Sequence, residues 1–190
     1  MAVQKTYSSE REIAEIWKLF RETDRKMQEM SEKTDLKINK LSGEFDRKWG
    51  RLIEALVEGN LIKLFNERNI PVGETSERVR GLKNAKDKNG KIYEGRCELD
   101  VVAKNGQEIV AVEVKTSLSS KDVDNFLYKL KHLTCFFPSY KGNKIYGAMA
   151  YLTINQSADV YARKQGLFTI KVVGESATIT NNKHFKPQIF

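Results

Sequence analysis

The chain has 190 residues, of which 40% are hydrophobic and 31% charged, and its formal net charge is +8. These values are typical of a soluble protein that consists of one domain and an extension. They argue against a disulfide-stabilised scaffold, since there are only two cysteines, and no apolar run reaches the length of a bilayer. The polar start has no apolar signal region, so we expect a cytoplasmic protein with no membrane partner.

The positive charge is concentrated in the second part of the chain. Residues 1–65 contain 13 Lys or Arg and 12 Asp or Glu, whereas residues 66–190 contain 20 and 13. A basic surface favours a polyanion such as nucleic acid as the partner. The alternative is that the excess charge only keeps the protein in solution.

The first segment, residues 1–49, is predicted to be a long helix. No proline occurs before residue 68, and apolar residues at heptad spacing form one seam: Ile13, Trp17, Phe20, Met27, Ile38, Leu41, Phe45 and Leu52. Asp24, Ser31, Thr34 and Lys48 interrupt this seam, as polar residues do when they fix the register of a coiled coil. We therefore predict a coiled coil that forms a homodimer. The alternative is a helical hairpin that folds back near Ser42-Gly43.

The apolar face of the helix broadens near Gly50, where we expect a globular domain of residues 50–180 to begin, followed by a tail of residues 181–190. Glu54 lies among these apolar neighbours, and Glu58 follows one turn later. Carboxylates that converge from a helix and a sheet could hold a divalent ion through oxygen ligands. A solvated Glu on the polar side of the helix is the alternative for either residue.

A basic segment follows the helix and is a candidate for phosphate contacts. Its cationic residues, with Asp87 as the one acid among them, are Arg78, Arg80, Lys83, Lys86, Lys88 and Lys91. Basic side chains that contact phosphates fix the position of a protein on nucleic acid. The alternative is a solvated loop with incidental lysines.

Residues 98–115 form the centre of the predicted domain. Two apolar runs joined at Asn105-Gly106 predict a tight hairpin with positive φ at both turn residues. We expect one apolar face, made by Leu99, Val101, Ala103, Val110, Val112 and Val114. Glu98 and Asp100 share the other face of one strand, and Glu113 and Lys115 that of the next. Ionisable groups on such a hairpin are usually paired or bound to a metal.

The remaining segments alternate between helices and strands. Periodicity predicts a helix over residues 121–136, a strand over 144–152, a helix over 156–165 and a strand over 167–173. A short last strand is expected over residues 177–180. Together with the first helix and three preceding strands, these segments predict an α/β domain.

Asp100, followed after twelve residues by Glu113-Val114-Lys115, resembles the active-site hairpin of the PD-(D/E)XK nuclease superfamily. Leu99 stands where the family name has a proline. Gly50 and Glu54 are similar to the first helix of the archaeal Holliday-junction resolvases in that superfamily. The resemblance covers roughly residues 50–175. It implies a restriction-endonuclease-like αβββαβ core with a mixed sheet, here preceded by the helical coiled coil.

The resemblance also implies a metal-dependent nuclease that acts on nucleic acid, with DNA as the expected substrate. Asp100, Glu113, Glu54 and the backbone carbonyl of Val114 would coordinate Mg²⁺ or Mn²⁺, and Lys115 would orient the attacking water. Glu98 is a possible accessory carboxylate, and Glu58 is the alternative to Glu54.

Two other functions are compatible with the same residues. One is a catalytically inactive nuclease-fold protein that binds nucleic acid or acts as a scaffold, dimerised by its coiled coil. The other is a structural coiled-coil protein in which Asp100, Glu113 and Lys115 form ordinary salt bridges.

Overall fold

The computed structural model of the protein describes the backbone of residues 2–86 and 92–190, and the side chains of residues 12–81 and 95–190. The chain divides into two compact units, Met1–Arg47 and Lys48–Phe190. Helix α1 (Ala2–Asn66) begins in the first unit and ends in the second. All other helices and strands belong to the second unit.

The first unit is a single helix, and the alternative of a helical hairpin near Ser42-Gly43 is wrong. Gly43 lies inside α1, where a Cβ atom would meet only open space, so neither packing nor a turn requires a glycine there. The eight side chains of the predicted seam are each more than half exposed. Their pairing with a second copy of the chain stays a prediction. None of the described helices is both long and apolar enough to span a membrane.

The second unit is built on one six-stranded sheet whose strands lie in sequence order. The strands are β1 (Glu74–Lys86), β2 (Ile92–Lys104), β3 (Glu108–Leu118), β4 (Lys144–Ile154), β5 (Phe168–Val173) and β6 (Ser176–Ile179). The β3–β4 and β4–β5 pairs are parallel and the other three are antiparallel. In the part of the chain that the structure describes, three helices follow α1, namely α2 (Ser120–Lys131), α3 (Leu133–Phe136) and α4 (Ala158–Lys164), with a 3₁₀ turn at Pro138–Tyr140.

This architecture confirms the predicted fold class: a mixed α/β sheet in the order αβββαβ, preceded by a long N-terminal helix. A separate apolar layer lies against each face of the sheet. The C-terminal part of α1 packs on one face, where Val57, Leu61 and Phe65 are fully buried. On the other face α2 and α4 pack, with Phe126 and Ala162 fully buried. Because both faces are covered, β3 is buried continuously from Ile109 to Val114 and β4 from Ile145 to Tyr151.

The hairpin between β2 and β3 is present, but its turn differs from the predicted one. Of its two central residues, only Gly106 has positive φ, at 89°. The Asn105 side-chain oxygen accepts the backbone N–H groups of Gln107 at 3.0 Å and Glu108 at 2.8 Å. Such a side-chain turn supplies the hydrogen bonds that a two-residue turn takes from the backbone. The loop therefore spans three residues, 105–107.

The prediction that the apolar residues of this hairpin share one face is wrong for Leu99. Val101 packs on the α1 side of the sheet, whereas Leu99 packs on the α2 side. The change of side coincides with Arg78 on β1, whose φ is +49°. There the β1–β2 register passes from the pair Glu77–Val101 to the pair Val79–Leu99, and Arg78 and Asp100 do not form a pair between them. This local distortion breaks the strict alternation of faces.

Candidate active site

The site lies where β2 and β3 stop pairing. Their ladder ends at the pair Val101–Val112, so Asp100 and Glu113 are the first residues beyond it. The Asp100 Oδ2 atom accepts the backbone N–H of Val114 at 2.7 Å. Beyond the end of the ladder the β2 backbone offers no acceptor to the N–H of Val114, and the Asp100 carboxylate accepts this hydrogen bond in its place. The hydrogen bond keeps Asp100 next to β3 after the two strands have separated.

Glu113 is buried, with 6% of its surface exposed, and both of its oxygens bind ammonium groups. The Lys115 Nζ atom donates to Oε1 at 2.9 Å, and the Lys129 Nζ atom donates to Oε2 at 2.7 Å. Lys115 belongs to the same strand, whereas Lys129 comes from α2. A buried carboxylate needs such partners, because desolvation of an isolated charge is costly.

Lys129 was not among the residues predicted from the sequence. Its Nζ atom also donates to the backbone carbonyl of Glu98 at 3.2 Å, so it connects α2 to both separated strands. The only signal in the sequence is its position beside the buried stripe of α2, between Phe126 and Leu130. Other lysines of α2 also flank that stripe, so the pattern could not identify the one that reaches Glu113.

The carboxylates of the site repel one another. Burial, followed by the charge of Glu113 and then of Glu54, raises the pKa of Asp100 from 3.8 to about 6, against the N–H of Val114 and the charge of Lys115. Burial acts to lower the pKa of Lys115, but the ion pair with Glu113, together with Asp100 and Asp122, outweighs it and raises that pKa. The site therefore favours cations.

The two candidate carboxylates on α1 have different partners. The Arg78 Nε atom lies 2.9 Å from Oε2 of Glu54, and the Glu54 side chain is only 14% exposed. Glu54 is also one of the charges that raise the pKa of Asp100. Glu58 accepts a 2.6 Å hydrogen bond from the Thr75 hydroxyl on β1. Of these two carboxylates of α1, Glu54 is the one whose charge contributes to the raised pKa of Asp100.

The other predicted residues lie around this centre or outside the described residues. Glu98 is exposed, and its Oε2 atom lies 3.2 Å from the Arg80 Nε atom. Both described arginines of the basic segment therefore contact acids of this region, Arg78 at Glu54 and Arg80 at Glu98. The side chains of Lys83 and Lys86, and the whole of Lys88 and Lys91, lie outside the described residues.

The donor chemistry fits a divalent ion, although the carboxylates are engaged with other groups. Within residues 12–81 and 95–190, no three His, Cys, Asp or Glu side chains form a group that could hold a metal as they stand. Burial, and after it the charges of Glu113 and Glu54, raise the pKa of Asp100, and the oxygen donors of these three acids are of the kind that suits Mg²⁺. Binding by all three would require Glu113 and Glu54 to exchange an ion pair for the metal.

Comparisons with known proteins find no matching family model and no matching curated protein. Solved structures similar to the chain include a protein of unknown function, AF1548, with 17% identity, a TM-score of 0.39, and coverage of 62% of this chain and 58% of that one. The EndoMS-dsDNA2 complex has 18% identity, a TM-score of 0.34, and coverage of 61% and 43%. A repair endonuclease from Pyrococcus abyssi has 21% identity, a TM-score of 0.32, and coverage of 60% and 44%.

The matched region is less than two thirds of the length of each of these three structures. At such identities and TM-scores the similarity carries no functional argument.

Proposed function

We propose that this protein is a divalent-metal-dependent nuclease that hydrolyses phosphodiester bonds of nucleic acid, with DNA as the favoured substrate. One observation carries the proposal: Asp100, Glu113 and Lys115 meet at the point where β2 and β3 separate. Asp100 is tied to β3 by the 2.7 Å hydrogen bond from Val114, and Lys115 lies 2.9 Å from Glu113. Two carboxylates in one partly buried place can hold a metal ion, and a lysine beside them can stabilise the charge that develops on a phosphate ester.

Asp100, Glu113, Glu54 and the backbone carbonyl of Val114 are the proposed ligands of Mg²⁺ or Mn²⁺. Such an ion supplies a Lewis acid that lowers the pKa of a water molecule and stabilises negative charge on phosphate. The carboxylates of Asp100 and Glu113 would hold the ion beside the gap between the strands. The raised pKa of Asp100 supports this assignment, because a nearby cation would relieve the repulsion among the three acids.

Lys115 is the proposed catalytic cation. Its ammonium group would orient the attacking water and offset the charge that develops on the phosphate. Its raised pKa keeps it protonated at neutral pH, and its side chain is 33% exposed, so it is accessible to a substrate. No protein nucleophile is needed in this scheme.

Nucleic acid is the proposed partner because of the charge of the second part of the chain. Residues 66–190 hold seven more Lys and Arg than Asp and Glu. Nucleic acid binds such surfaces through its phosphates with strong salt dependence. We further propose that residues 1–49 dimerise two domains of residues 50–180, which would provide two sites for a double-stranded or branched substrate; residues 181–190 stay assigned as a C-terminal tail.

A second candidate function is a nuclease-fold protein that binds nucleic acid or acts as a scaffold without cutting. The observation that favours it is the closed set of ion pairs, in which Glu113 binds two lysines and Glu54 binds Arg78. If these pairs persist in the presence of metal, the carboxylates are unavailable for catalysis.

The deciding experiment is cleavage of a panel of labelled DNA and RNA substrates, single-stranded, double-stranded and branched, with Mg²⁺ or Mn²⁺. We expect the wild type to cut at least one substrate, and Lys115→Ala to lose at least about a hundredfold in rate. Lys121→Ala, an exposed lysine on α2, is the matched control and should keep the wild-type rate. Two results together would favour the second candidate. The protein would bind nucleic acid in a salt-dependent manner without cutting it, and it would show no Mn²⁺ binding that is lost in Asp100→Ala.

A further inference from the structure

The seam of α1 between Ile13 and Phe45 lies within the first compact unit, and it is exposed in the single chain. Its positions follow one another at alternating steps of four and three residues, which is the spacing of the contact positions in a coiled coil. Each of its apolar side chains is more than half exposed, and they are Ile13, Trp17, Phe20, Met27, Ile38, Leu41 and Phe45. A row of this kind is typical of an interface with another chain.

The order of residues along the seam is nearly the same in both directions. Three apolar residues occupy each end, and the four positions between them are mostly polar: Asp24, Met27, Ser31 and Thr34. Reversal of the helix about residue 29 therefore brings apolar positions onto apolar ones. Such a seam can pair with a copy of itself in either direction, so individual residues decide which direction is favoured.

A parallel pair in register places each seam residue opposite its own copy. Trp17 would face Trp17, whereas Ile38 would face Ile38, so wide and narrow layers would follow one another at one helix separation. Asp24 would face a second Asp24 inside the seam. Two carboxylates at close range repel each other, and burial adds the cost of desolvation.

An antiparallel pair with residue 13 opposite residue 45 removes both problems. Each apolar layer at the ends then joins one aromatic and one aliphatic side chain, and the layers are Ile13–Phe45, Trp17–Leu41 and Phe20–Ile38. Large residues opposite smaller ones keep the layers similar in volume. Asp24 would face Thr34, whose hydroxyl donates to the Met30 carbonyl at 2.8 Å in the single chain and can turn to the carboxylate instead.

The charged residues that flank the seam favour the same arrangement. Arg21 and Asp35 are both exposed, and each follows a seam residue on the same side. In the antiparallel pair Arg21 faces Asp35 of the second copy, and the twofold symmetry repeats this ion pair. In the parallel pair Arg21 would lie beside Ile16 and Asp35 beside Met30. Charges at such flanking positions set the orientation of a coiled coil.

The register is also restricted. A shift of one heptad in either direction from the antiparallel pairing places Trp17 opposite a polar residue, Lys48 or Thr34. Only the unshifted pairing keeps the apolar ends opposite each other and the polar centre opposite itself.

We infer that the partner of this seam is a second copy of the chain in antiparallel orientation, with Ile13 opposite Phe45 and Arg21 opposite Asp35. This inference rests on the dimer of the proposed function and adds its direction and register. Each chain enters the paired segment where its partner leaves it. The arrangement holds whether or not the second unit cuts nucleic acid.

The test is disulfide formation between two full-length chains that are co-expressed with tags of different size. Both carry Cys135→Ser, which removes the partly exposed native thiol, while Cys97 is buried. We expect Phe20→Cys and Ile38→Cys chains to form a mixed disulfide, because these residues face each other. Neither variant should form a disulfide with itself, since its two copies would lie about 27 Å apart along the axis. Phe20→Cys with Phe45→Cys is the matched control for the neighbouring register and should not cross-link.

A second measurement leaves the seam and the native cysteines unchanged. We expect Arg21→Asp and Asp35→Arg each to raise the dimer dissociation constant roughly tenfold, because each change replaces two attractive pairs by repulsive ones. The double variant restores opposite charges and should return to within about threefold of the wild type. Lys40→Asp changes an exposed lysine away from the seam by the same charge and should stay within about twofold. Sedimentation equilibrium measures all four.

The outcomes separate the inference from the proposals on which it stands. Self-linked Phe20→Cys dimers, a disulfide between Phe20→Cys and Phe45→Cys, or a dimer that gives no mixed disulfide would overturn the inference alone. A double charge variant as weak as both single variants combined would do the same. A wild-type monomer would remove the dimer and the inference with it. Cleavage of nucleic acid is measured separately, so none of these results decides whether the protein is a nuclease.

Discussion

The Asp100 carboxylate accepts the backbone N–H of Val114 at 2.7 Å, across the gap that opens when their strands stop pairing. This hydrogen bond joins β2 to β3 beyond the end of their ladder and places a carboxylate beside Glu113. Burial and the charge of Glu113 raise the pKa of Asp100 to about 6, so the contact is made at an electrostatic cost. We expect this cost to be measurable in the stability of the metal-free protein.

The first prediction concerns Asp100→Asn in the presence of EDTA. The pKa of Asp100 rises from 3.8 in the unfolded chain to about 6 in the folded one, so the folded state binds the proton more tightly. The protonated Asp100 therefore stabilises the folded state. This contribution is present below about pH 4 and is lost as the pH rises through about 6. At pH 8 the charged Asp100 therefore lowers the free energy of unfolding by about 3 kcal/mol.

Asparagine keeps an acceptor for the N–H of Val114 but carries no charge. Asp100→Asn should be more stable than the wild type by about 1–2 kcal/mol at pH 8, and the difference should vanish near pH 4. Urea unfolding at the two pH values measures it. A variant that is less stable than the wild type at pH 8 would contradict the assigned electrostatics.

The second prediction separates the two carboxylates of α1. Glu54→Gln should weaken Mn²⁺ binding tenfold or more, because the proposed site loses one of its three charged ligands. Glu58→Gln should bind Mn²⁺ within about twofold of the wild type, since Glu58 accepts the hydroxyl of Thr75 and glutamine can do the same. Calorimetric titration of both variants checks the pair. If Glu58→Gln lost more Mn²⁺ affinity than Glu54→Gln, Glu58 and not Glu54 would be the metal ligand on α1.

The third prediction tests the seam of α1. Phe20 is 59% exposed and Leu41 is 65% exposed in the single chain, and apolar residues in such a row mark an interface. We expect light scattering after size exclusion to return a dimer for the wild type and a monomer for the double variant Phe20→Asp, Leu41→Asp. Leu36→Asp is the matched control: Leu36 is 70% exposed but lies off the seam, so the dimer should persist. A wild-type monomer would refute the coiled coil.

The fourth prediction concerns the packing of α2 on the sheet. A Cβ atom on Gly147 of β4 would lie 2.5 Å from Leu130 Cδ1 and 2.6 Å from Leu167 Cδ2. Both leucines are buried, so Gly147→Ala should lower the free energy of unfolding by about 1–3 kcal/mol. Gly59→Ala, on an open face of α1, should raise it by up to about 1 kcal/mol. Urea unfolding of both variants makes the comparison; equal effects would mean that α2 does not pack here.

Much of the fold could be predicted from the sequence, because the patterns that indicate each helix and strand lie within that element. The apolar stripe of α2, with Val123, Phe126 and Leu130, predicted a helix, and the structure places the N-cap of α2 at Ser119. The apolar runs within β3 and β4 predicted that both segments are strands. Each of these inferences depends only on which residues recur at a helical or strand period within one element.

Three features of the site could not be predicted from the sequence. The face change at Leu99 coincides with Arg78, a residue with positive φ on the neighbouring strand, and no pattern within β2 predicts it. Lys129 reaches Glu113 from sixteen residues away, and only the placement of α2 over the sheet makes it, rather than another lysine of α2, the partner. The same holds for Arg78 and Glu54, which are 24 residues apart.

The sequence by itself thus determined the element order, the long helix and the presence of Asp100, Glu113 and Lys115 on one hairpin, because hydrophobic period and turn chemistry act within short stretches of chain. Tertiary structure alone decided which cations neutralise those acids. An ion pair depends on the distance between two side chains in space, and that distance is set by how helices and strands pack after each has formed.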